Sequence, residues 1–386
     1  MSVQPNLVAS ISQRIEEALR RRDTAAALRL IGEAEAASPA DPEIKMQKAV
    51  AQRVAGDFQG ALVSLDEALT LEPYNFVALL AKGAMLERVM GEHHAAETYR
   101  NALKIAPREP PAGLGPAMAR ARQVVANTAD ALEAYLRDAL ENVGADCRGQ
   151  AAARVEESLR AIAGKAKVYT SEPLFLHWSR LPAIPFYDRE LFPWLPELEA
   201  ATDTIRGELE ALLETRRGFA PYIDYPPGAP VNQWAELNHN PRWSSFFLWK
   251  DGERQDLACA QCPKTVALLE GLPLADQPGF APTALFSALE ANTHIPPHTG
   301  STNTRLLVHL PLILPGPARF RVGGETRDWR MGEAWVFDDT IEHEAWNDAS
   351  ALRVILILDI WNPYLEPAER DLVRAMLTAR NRFFGR

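Results

Sequence analysis

The sequence predicts a multidomain α+β protein in which an α-helical solenoid precedes a jelly roll, a double-stranded β-helix buttressed by helices. Two observations carry that prediction. A helical pattern repeats at a fixed interval near the start of the chain, and past residue 168 the texture changes to short β-type runs. The expected domains are a repeat array over 1–110, a helical linker over 111–167 and a β-rich domain over 168–386. A chain of 386 residues has room for two or three such domains.

The repeat is read from residue spacing. Pro39, Pro73 and Pro107 stand 34 residues apart, and so do Ala34, Ala68 and Ala102. Asp23 and Asp57, Ala27 and Ala61, and Leu28 and Leu62 keep the same interval, while the third unit slips by one so that Gly56 matches Gly91. Each unit reads as two helices and a turn: Ile44–Val54, then Gly56-Asp57, then Phe58–Leu71 stopped by Pro73. Small alanines let paired helices approach, and apolar positions bury against the next unit. Period and pattern resemble tetratricopeptide repeats, which implies a concave groove for a peptide or partner protein, or a surface that packs on the second domain. Val124–Leu140 and Gly149–Ile162 then show helical spacing and form the expected bridge.

Past Val168 aromatics and prolines become dense, and Leu195–Thr215 reads as one amphipathic helix with Leu198, Ile205, Leu209 and Leu212 on a single face. Short β-type runs follow at Ser244–Trp249, Ala284–Leu289, Arg305–Leu314, Arg319–Val322, Ala334–Phe337 and Leu352–Ile360, separated by turns such as Gly323-Gly324 and Asn347-Asp348. The run from Arg353 to Ile360 is almost wholly apolar, which suits a strand covered on both faces with the amphipathic helix outside.

Composition narrows the function. Hydrophobic residues make up 47% and charged residues 24%, an ordinary soluble balance. A net charge of −10 repels phosphate, so no nucleic-acid partner is expected, and Arg20–Arg22 reads as a solvated helix face. Three cysteines do not make a disulfide framework. Cys259 and Cys262 have C-x-x-C spacing without the second pair a zinc site needs or a thioredoxin-like context, and read as two reduced thiols in a loop. Met1–Pro5 lacks the basic start and apolar core of a signal peptide, and no run reaches membrane-span length. The expectation is a soluble, cytoplasmic protein without a membrane partner.

Four of the eight histidines, His294, His298, His309 and His343, fall in the β-rich segment. A lone histidine there is ordinarily a hydrogen-bonded core residue, but four beside strand ends need more explanation, and imidazole suits iron, zinc and copper alike. The non-haem iron pattern of two histidines and a carboxylate expects H-x-D/E, whereas Pro297-His298-Thr299-Gly300 has glycine at the carboxylate position. His294 reads as a loop residue. A zinc-dependent jelly-roll hydrolase or isomerase would lack a third protein ligand and a general base.

Ser287, the run Pro297–Asn303, Arg305-Leu306 and His309-Leu310-Pro311-Leu312 resemble the aspartyl/asparaginyl β-hydroxylase family. So do Phe337-Asp338-Asp339, Glu342–Asp348, Arg353 and Asp359–Pro363. The resemblance covers roughly residues 181–366, and its members often carry tetratricopeptide repeats ahead of the catalytic domain. It implies Fe(II) held by His298 and His343 alone, with 2-oxoglutarate as cosubstrate and O₂ as oxidant. Ser287 and Arg353 would hold the distal carboxylate, a role for which arginine's bidentate fork is suited, and His309 would assist the carboxylate near the metal. Arg305 counts among the cosubstrate residues, and Asn303 and Asp339 among those that orient the ligands. The implied reaction is hydroxylation of the β-carbon of an aspartyl or asparaginyl residue in a peptide or protein, with release of succinate and CO₂. Alternatives are a free amino acid or other small molecule as substrate, and a degenerate oxygenase fold used as a binding scaffold. One departure favours the scaffold: the family reads Arg-Leu-Arg before the third histidine, and this chain reads Arg305-Leu306-Leu307. Arg254, Arg319 and Arg321 are the candidates to replace the missing cation.

Overall fold

A computed structural model describes residues 5–144 and 147–385 of the chain. Residues 1–4, part of the segment read for a leader, lie outside the described residues. The chain divides into two compact units, Met1–Asp146 with Ser158–Lys165, and Cys147–Glu157 with Ala166–Arg386. The boundary falls within the helix Gln150–Ile162. Among the described residues no helix is long and apolar enough to cross a membrane.

The first unit is a tetratricopeptide-like helical array: α1 (Pro5–Arg20), α2 (Thr24–Ala37), α3 (Pro42–Ala55), α4 (Phe58–Leu71), α5 (Phe76–Met90), α6 (Glu92–Lys104) and α7 (Gly115–Glu141). The repeated residues do identifiable work. Asp23, Asp41, Asp57 and Asn75 cap the starts of α2 to α5, each side chain accepting from backbone N–H groups of the first turn. Gly56 closes α3 in the left-handed region at φ 85°. Ala27, Ala34, Ala61, Ala68 and Ala102 are wholly buried, so the 34-residue spacing marks where helices touch. The α7 segment, expected within the linker, packs Met118, Ala121 and Val124 against Phe76, Ala95 and Tyr99 and so extends the array.

In the second unit, β1 (Ala220–Pro221), β2 (Trp243–Lys250), β3 (Glu253–Arg254), β4 (Ala284–Leu289), β6 (Arg305–Ile313), β9 (Trp335–Phe337) and β11 (Arg353–Trp361) form one antiparallel sheet. Its order is β1-β2-β4-β11-β6-β9, with β3 paired to β2. A second sheet runs β5-β10-β7-β8, from β5 (Thr293–His298), β7 (Ala318–Val322), β8 (Glu325–Asp328) and β10 (His343–Asn347). Period-two alternation sorts the larger sheet into two faces. Phe286, Leu306, Val308, Leu310, Val354, Leu356, Leu358 and Ile360 face out against Leu198, Ile205, Leu209, Val266 and Leu269. The opposite face, with Trp243, Leu289, Trp335, Phe337 and Ile355, packs on Ile295, Phe320, Val322 and Ala345 of the smaller sheet.

Several details differ from the expectation. The helix expected over Leu195–Thr215 is two, Leu195–Ala200 and Thr202–Thr215. The Thr202 hydroxyl donates to the Glu199 carbonyl at 2.6 Å and competes with the helical ladder there, while the apolar stripe survives the break. Cys259 ends the short helix Asp256–Cys259 and Cys262 precedes Pro263–Glu270, so neither thiol lies in an open loop, and both are buried. The strands that the sequence pattern does not show are β1, β3, β5, β8 and β10, and of these β5 carries His294 and His298 and β10 carries His343.

A packing test follows for the array. A Cβ on Gly83 in α5 would stand 2.4 Å from the Tyr99 ring, whereas one on Gly32 in α2 meets nothing within 4 Å. Helix propensity favours alanine over glycine by about 1 kcal/mol, but a forced clash in a packed core costs about 1–3 kcal/mol. Gly83→Ala should therefore lower the unfolding free energy, and Gly32→Ala should raise it by roughly 0.5–1 kcal/mol, in urea titrations followed by helical circular dichroism.

Candidate active site

The two histidines are brought together by β pairing. His343 at the start of β10 lies directly opposite His298 at the end of β5, with ring centroids 4.1 Å apart. The strands do not run in simple register to that point. His343 pairs with His298, but Ala345 pairs with Ile295, so β5 carries one extra residue within Pro296-Pro297. This bulge turns His298 to the same face as Ile295, where simple alternation would place it on the other. Prolines suit the position because a bulge leaves backbone N–H groups unpaired.

Local bonding then fixes each imidazole. His298 Nδ1 lies 2.8 Å from the Pro296 carbonyl and His343 Nδ1 lies 3.0 Å from the Ile341 carbonyl. A carbonyl only accepts, so both Nδ1 atoms carry the proton and both Nε2 atoms keep a free lone pair. Burial pushes the His298 pKa down to about 3 and the His343 pKa down to about 4, which keeps both rings neutral. Among the described residues no group of three His, Cys, Asp or Glu converges as a metal site. The reason is visible at Gly300. A Cβ there would stand 2.0 Å from Asp339 Oδ2, so Asp339 already fills the space that a carboxylate-bearing residue would need.

Arg353, Ser287 and His309 share the inner face of the larger sheet. Ile355, two residues along β11 from Arg353, is the register partner of Ser287, and Ile357 that of His309. Arg353 is 1% exposed, lies 4.8 Å over the Trp329 ring, and none of its three guanidinium nitrogens has an acceptor among the described residues. Burial alone pushes its pKa down to about 9. A guanidinium does not give up its proton in proteins, so Arg353 stays a buried cation. Ser287 Oγ accepts from Trp243 Nε1 at 3.1 Å, which leaves its hydroxyl proton to donate. His309 Nδ1 has no partner among the described residues, its ring is boxed by Phe320, Trp329 and Phe337, and burial holds its pKa well below the ordinary value.

The remaining expected residues are placed differently. Arg305 is ion-paired within the protein, with Asp359 at 3.0 Å and Asp339 at 3.3 Å. Asn303 accepts from the Trp178 N–H at 2.7 Å and donates to its carbonyl at 2.9 Å, tying down that segment and not a ligand. His294 lies in β5, not in a loop, and turns outward to stack on Trp346 and meet Glu344. Arg254, Arg319 and Arg321 pair with Asp256, Asp348 and Glu344, so none of them supplies the cation missing at Leu307. Leu307 packs against the inter-sheet core. Burial raises both Cys259 and Cys262, the latter to about 12, which leaves them unreactive. Pattern reading missed Trp234 and Trp243, whose rings lie 5.0 Å and 6.5 Å from that of His298.

Two stability effects follow. Arg305→Met strands Asp339 and Asp359 without a cation, and should cost about 3–5 kcal/mol in chemical denaturation. Asp338 has its pKa pushed from the ordinary 3.8 up to about 6, chiefly by burial, and its Oδ2 has no partner among the described residues. A carboxyl with a raised folded pKa binds protons better when folded, so its contribution to stability grows as pH falls below 6 and is lost as pH rises through 6. Asp338→Asn should remove that slope between pH 7 and 4, measured as unfolding free energy against pH.

Residues 199–363 match the family model described as Aspartyl/Asparaginyl beta-hydroxylase. The chain is 36% identical to the human Aspartyl/asparaginyl beta-hydroxylase over 186 residues, covering 47% of this chain and 24% of that one. It is 34% identical to the Ornithine lipid ester-linked acyl 2-hydroxylase of Rhizobium tropici over 201 residues, covering 51% of this chain and 68% of the relative. The match to the human and mouse hydroxylases thus spans about a quarter of their length. Among solved structures, the first TPR of Spaghetti (RPAP3) aligns with a TM-score of 0.29 at 16% identity, over 32% of this chain and 93% of that one. The Arabidopsis OM64 TPR domain aligns with a TM-score of 0.27 at 21% identity, over 31% of this chain and 96% of that one. With its catalytic-type segment matched from helix to last strand, the chain belongs to the aspartyl/asparaginyl β-hydroxylase family.

Proposed function

We propose that the chain is an Fe(II)- and 2-oxoglutarate-dependent dioxygenase that hydroxylates the β-carbon of aspartyl or asparaginyl residues in a peptide or protein. The observation that carries this reading is Arg353, a buried cation without a counter-charge among the described residues, on the same inner face as Ser287 and His309 in the core of the unit that holds the His298–His343 pair. The residues fit the implied groups: two neutral imidazoles with free Nε2 atoms suit a divalent metal, and an unpaired guanidinium suits a carboxylate. We read the two facing antiparallel sheets as a double-stranded β-helix.

His298 and His343 would hold the iron through Nε2. Arg353 and the Ser287 hydroxyl would bind the distal carboxylate of 2-oxoglutarate, and His309 would stand beside the end nearer the metal. When bound, the iron, cosubstrate and O₂ supply the oxidising power, with succinate and CO₂ released and one oxygen atom delivered to the substrate. Trp234 and Trp243 wall one side of His298, and Phe320 and Phe337 contact the His343 ring, which limits water at the reacting centre. The helical array offers a cavity of about 590 Å³ lined by Arg53, Phe58, Leu80, Met85, Arg88 and Tyr99, and we assign it to holding a peptide or protein substrate. A second reading, hydroxylation of an acyl chain, is favoured by the match over 68% of the acyl 2-hydroxylase.

The test is succinate formation from 2-oxoglutarate with Fe(II) and O₂, offered Asp- and Asn-containing peptides and an acylated amino-acid lipid in parallel. His343→Ala should abolish turnover. Arg353→Gln should weaken 2-oxoglutarate binding by about 10–100-fold, the loss of one charge-assisted hydrogen-bonded pair. Deleting Pro297 should remove the bulge and abolish metal binding while the circular dichroism spectrum is kept. A gain of one oxygen atom on the peptide supports the first reading, and the same gain on the lipid supports the second. No turnover and no 2-oxoglutarate binding to the iron-loaded protein would leave only a binding scaffold.

A further inference from the structure

Buried nitrogens without partners gather at one place in the second unit. Among the described residues six buried side-chain nitrogen atoms have no hydrogen-bond partner: three belong to Arg353, one each to His309 and Trp329, and one to Arg370. The first five form a single group, because the Arg353 guanidinium stands 4.8 Å over the Trp329 ring and the His309 ring stacks on it at 5.5 Å, with an interplanar angle of 15°. Trp329 joins the other two, and its place is fixed from both sheets. Its backbone N–H donates to the Ala318 carbonyl of β7 at 3.0 Å, and the Gly332 N–H just beyond donates to the Pro311 carbonyl of β6 at 3.0 Å. Packing accounts for the indole ring, which fills the inter-sheet core beside Phe320 and Trp335. It does not account for the indole N–H. A buried tryptophan ordinarily finds an acceptor, and Trp243 and Trp361, each 5% exposed like Trp329, donate to Ser287 and Asp276. The N–H lies in the plane of the ring, so it is directed at neither Arg353 nor His309, which meet the ring's face.

We propose that Trp329 is a third donor, beside Arg353 and Ser287, to the distal carboxylate of 2-oxoglutarate. This rests on the oxygenase reading, since the anion is its cosubstrate. A carboxylate at the edge of the indole, against the guanidinium that lies over its face, accepts from both, and its two oxygens have lone pairs for about four such bonds. Ring and N–H then have separate roles. The face of the indole holds the guanidinium in place by cation–π attraction, and the N–H meets a carboxylate oxygen and sets the orientation of the cosubstrate's far end. A 2-oxo acid that lacks the second carboxylate gives the N–H nothing to bond.

The experiment is nuclear magnetic resonance of the indole N–H groups in the full chain labelled with ¹⁵N-tryptophan, with Zn(II) standing in for iron. The nine tryptophans give nine indole signals, and Trp329→Phe identifies one of them by removing it. In wild type that signal should move downfield when 2-oxoglutarate is added and stay in place with 2-oxobutanoate, which has the same 2-oxo acid end and no second carboxylate. In calorimetry the Kd for 2-oxoglutarate should rise about 10-fold in Trp329→Phe, the loss of one hydrogen bond to a charged group, while that for 2-oxobutanoate stays unchanged. Should Trp329→Phe not fold, the signal is identified in wild type by its nuclear Overhauser contacts to Phe320 and Trp335, and its shift alone decides. Binding of 2-oxoglutarate that leaves the Trp329 signal unmoved or moves it upfield, or an equal loss for both acids in Trp329→Phe, overturns the role of Trp329 while the oxygenase reading stands. No binding of 2-oxoglutarate to wild type overturns the oxygenase reading and the role of Trp329 with it.

Discussion

The seven-stranded sheet must satisfy two opposite demands on its two faces, and the alternation along each strand meets both. Val354, Leu356, Leu358 and Ile360 face helices and need only be apolar. Arg353, Ile355, Ile357 and Asp359 face the smaller sheet, and two of those four are charged and buried. Asp359 has its counter-charge in Arg305, and Arg353 has none among the described residues. A buried unpaired cation is among the most destabilising groups a core can hold, and the surrounding apolar packing has to outweigh it. This one imbalance is what the proposed function uses, since an incoming carboxylate would remove it.

The second constraint is geometric. Period two would send His298 and Ile295 to opposite faces, and the bulge at Pro296-Pro297 reverses that. The histidine pair therefore depends on one inserted residue. On the far side of His298, Gly300 must stay without a side chain because Asp339 occupies the adjoining volume, and the Gly300 N–H donates to the Asp339 carbonyl at 2.6 Å. A glycine where a third ligand is expected is thus a packing requirement as well as a departure from the common iron motif. Asp339 in turn is held by Arg305, which also holds Asp359, so the packing at Gly300 is connected to the far end of β11.

Much of this was legible in the sequence, for reasons that can be stated. The repeat was visible because the buried alanines and capping aspartates must recur wherever helices touch and start. The longer strands of the larger sheet were visible because one of their faces is continuously apolar, whereas the two-residue strands β1 and β3 are too short to show a pattern. Strands β5 and β10 were not, because Thr293-His294-Ile295-Pro296-Pro297-His298 and His343–Asn347 hold charged, polar and proline residues that period-two reading discards. The functional residues themselves hide those strands. The break at Ala201 was hidden because Leu198 and Ile205 stay on one face across it. The pairing of Arg305 with two carboxylates was hidden because Asp339 and Asp359 are distant in the chain.

Leu307 acquires its meaning from this charge inventory. Arg254, Arg305, Arg319 and Arg321 all face carboxylates, whereas Arg353 has no carboxylate partner among the described residues. On the proposed function a cosubstrate with two carboxylates meets one protein cation, at its distal end. The other carboxylate has Leu307 where a second arginine would stand and a neutral His309 nearby. Its charge is then balanced by the metal alone, so metal and cosubstrate each increase the affinity of the site for the other. On that proposal the same residue that weakens the match to the family pattern would couple the two binding events, because neither the imidazole pair nor Arg353 would neutralise the cosubstrate without the other.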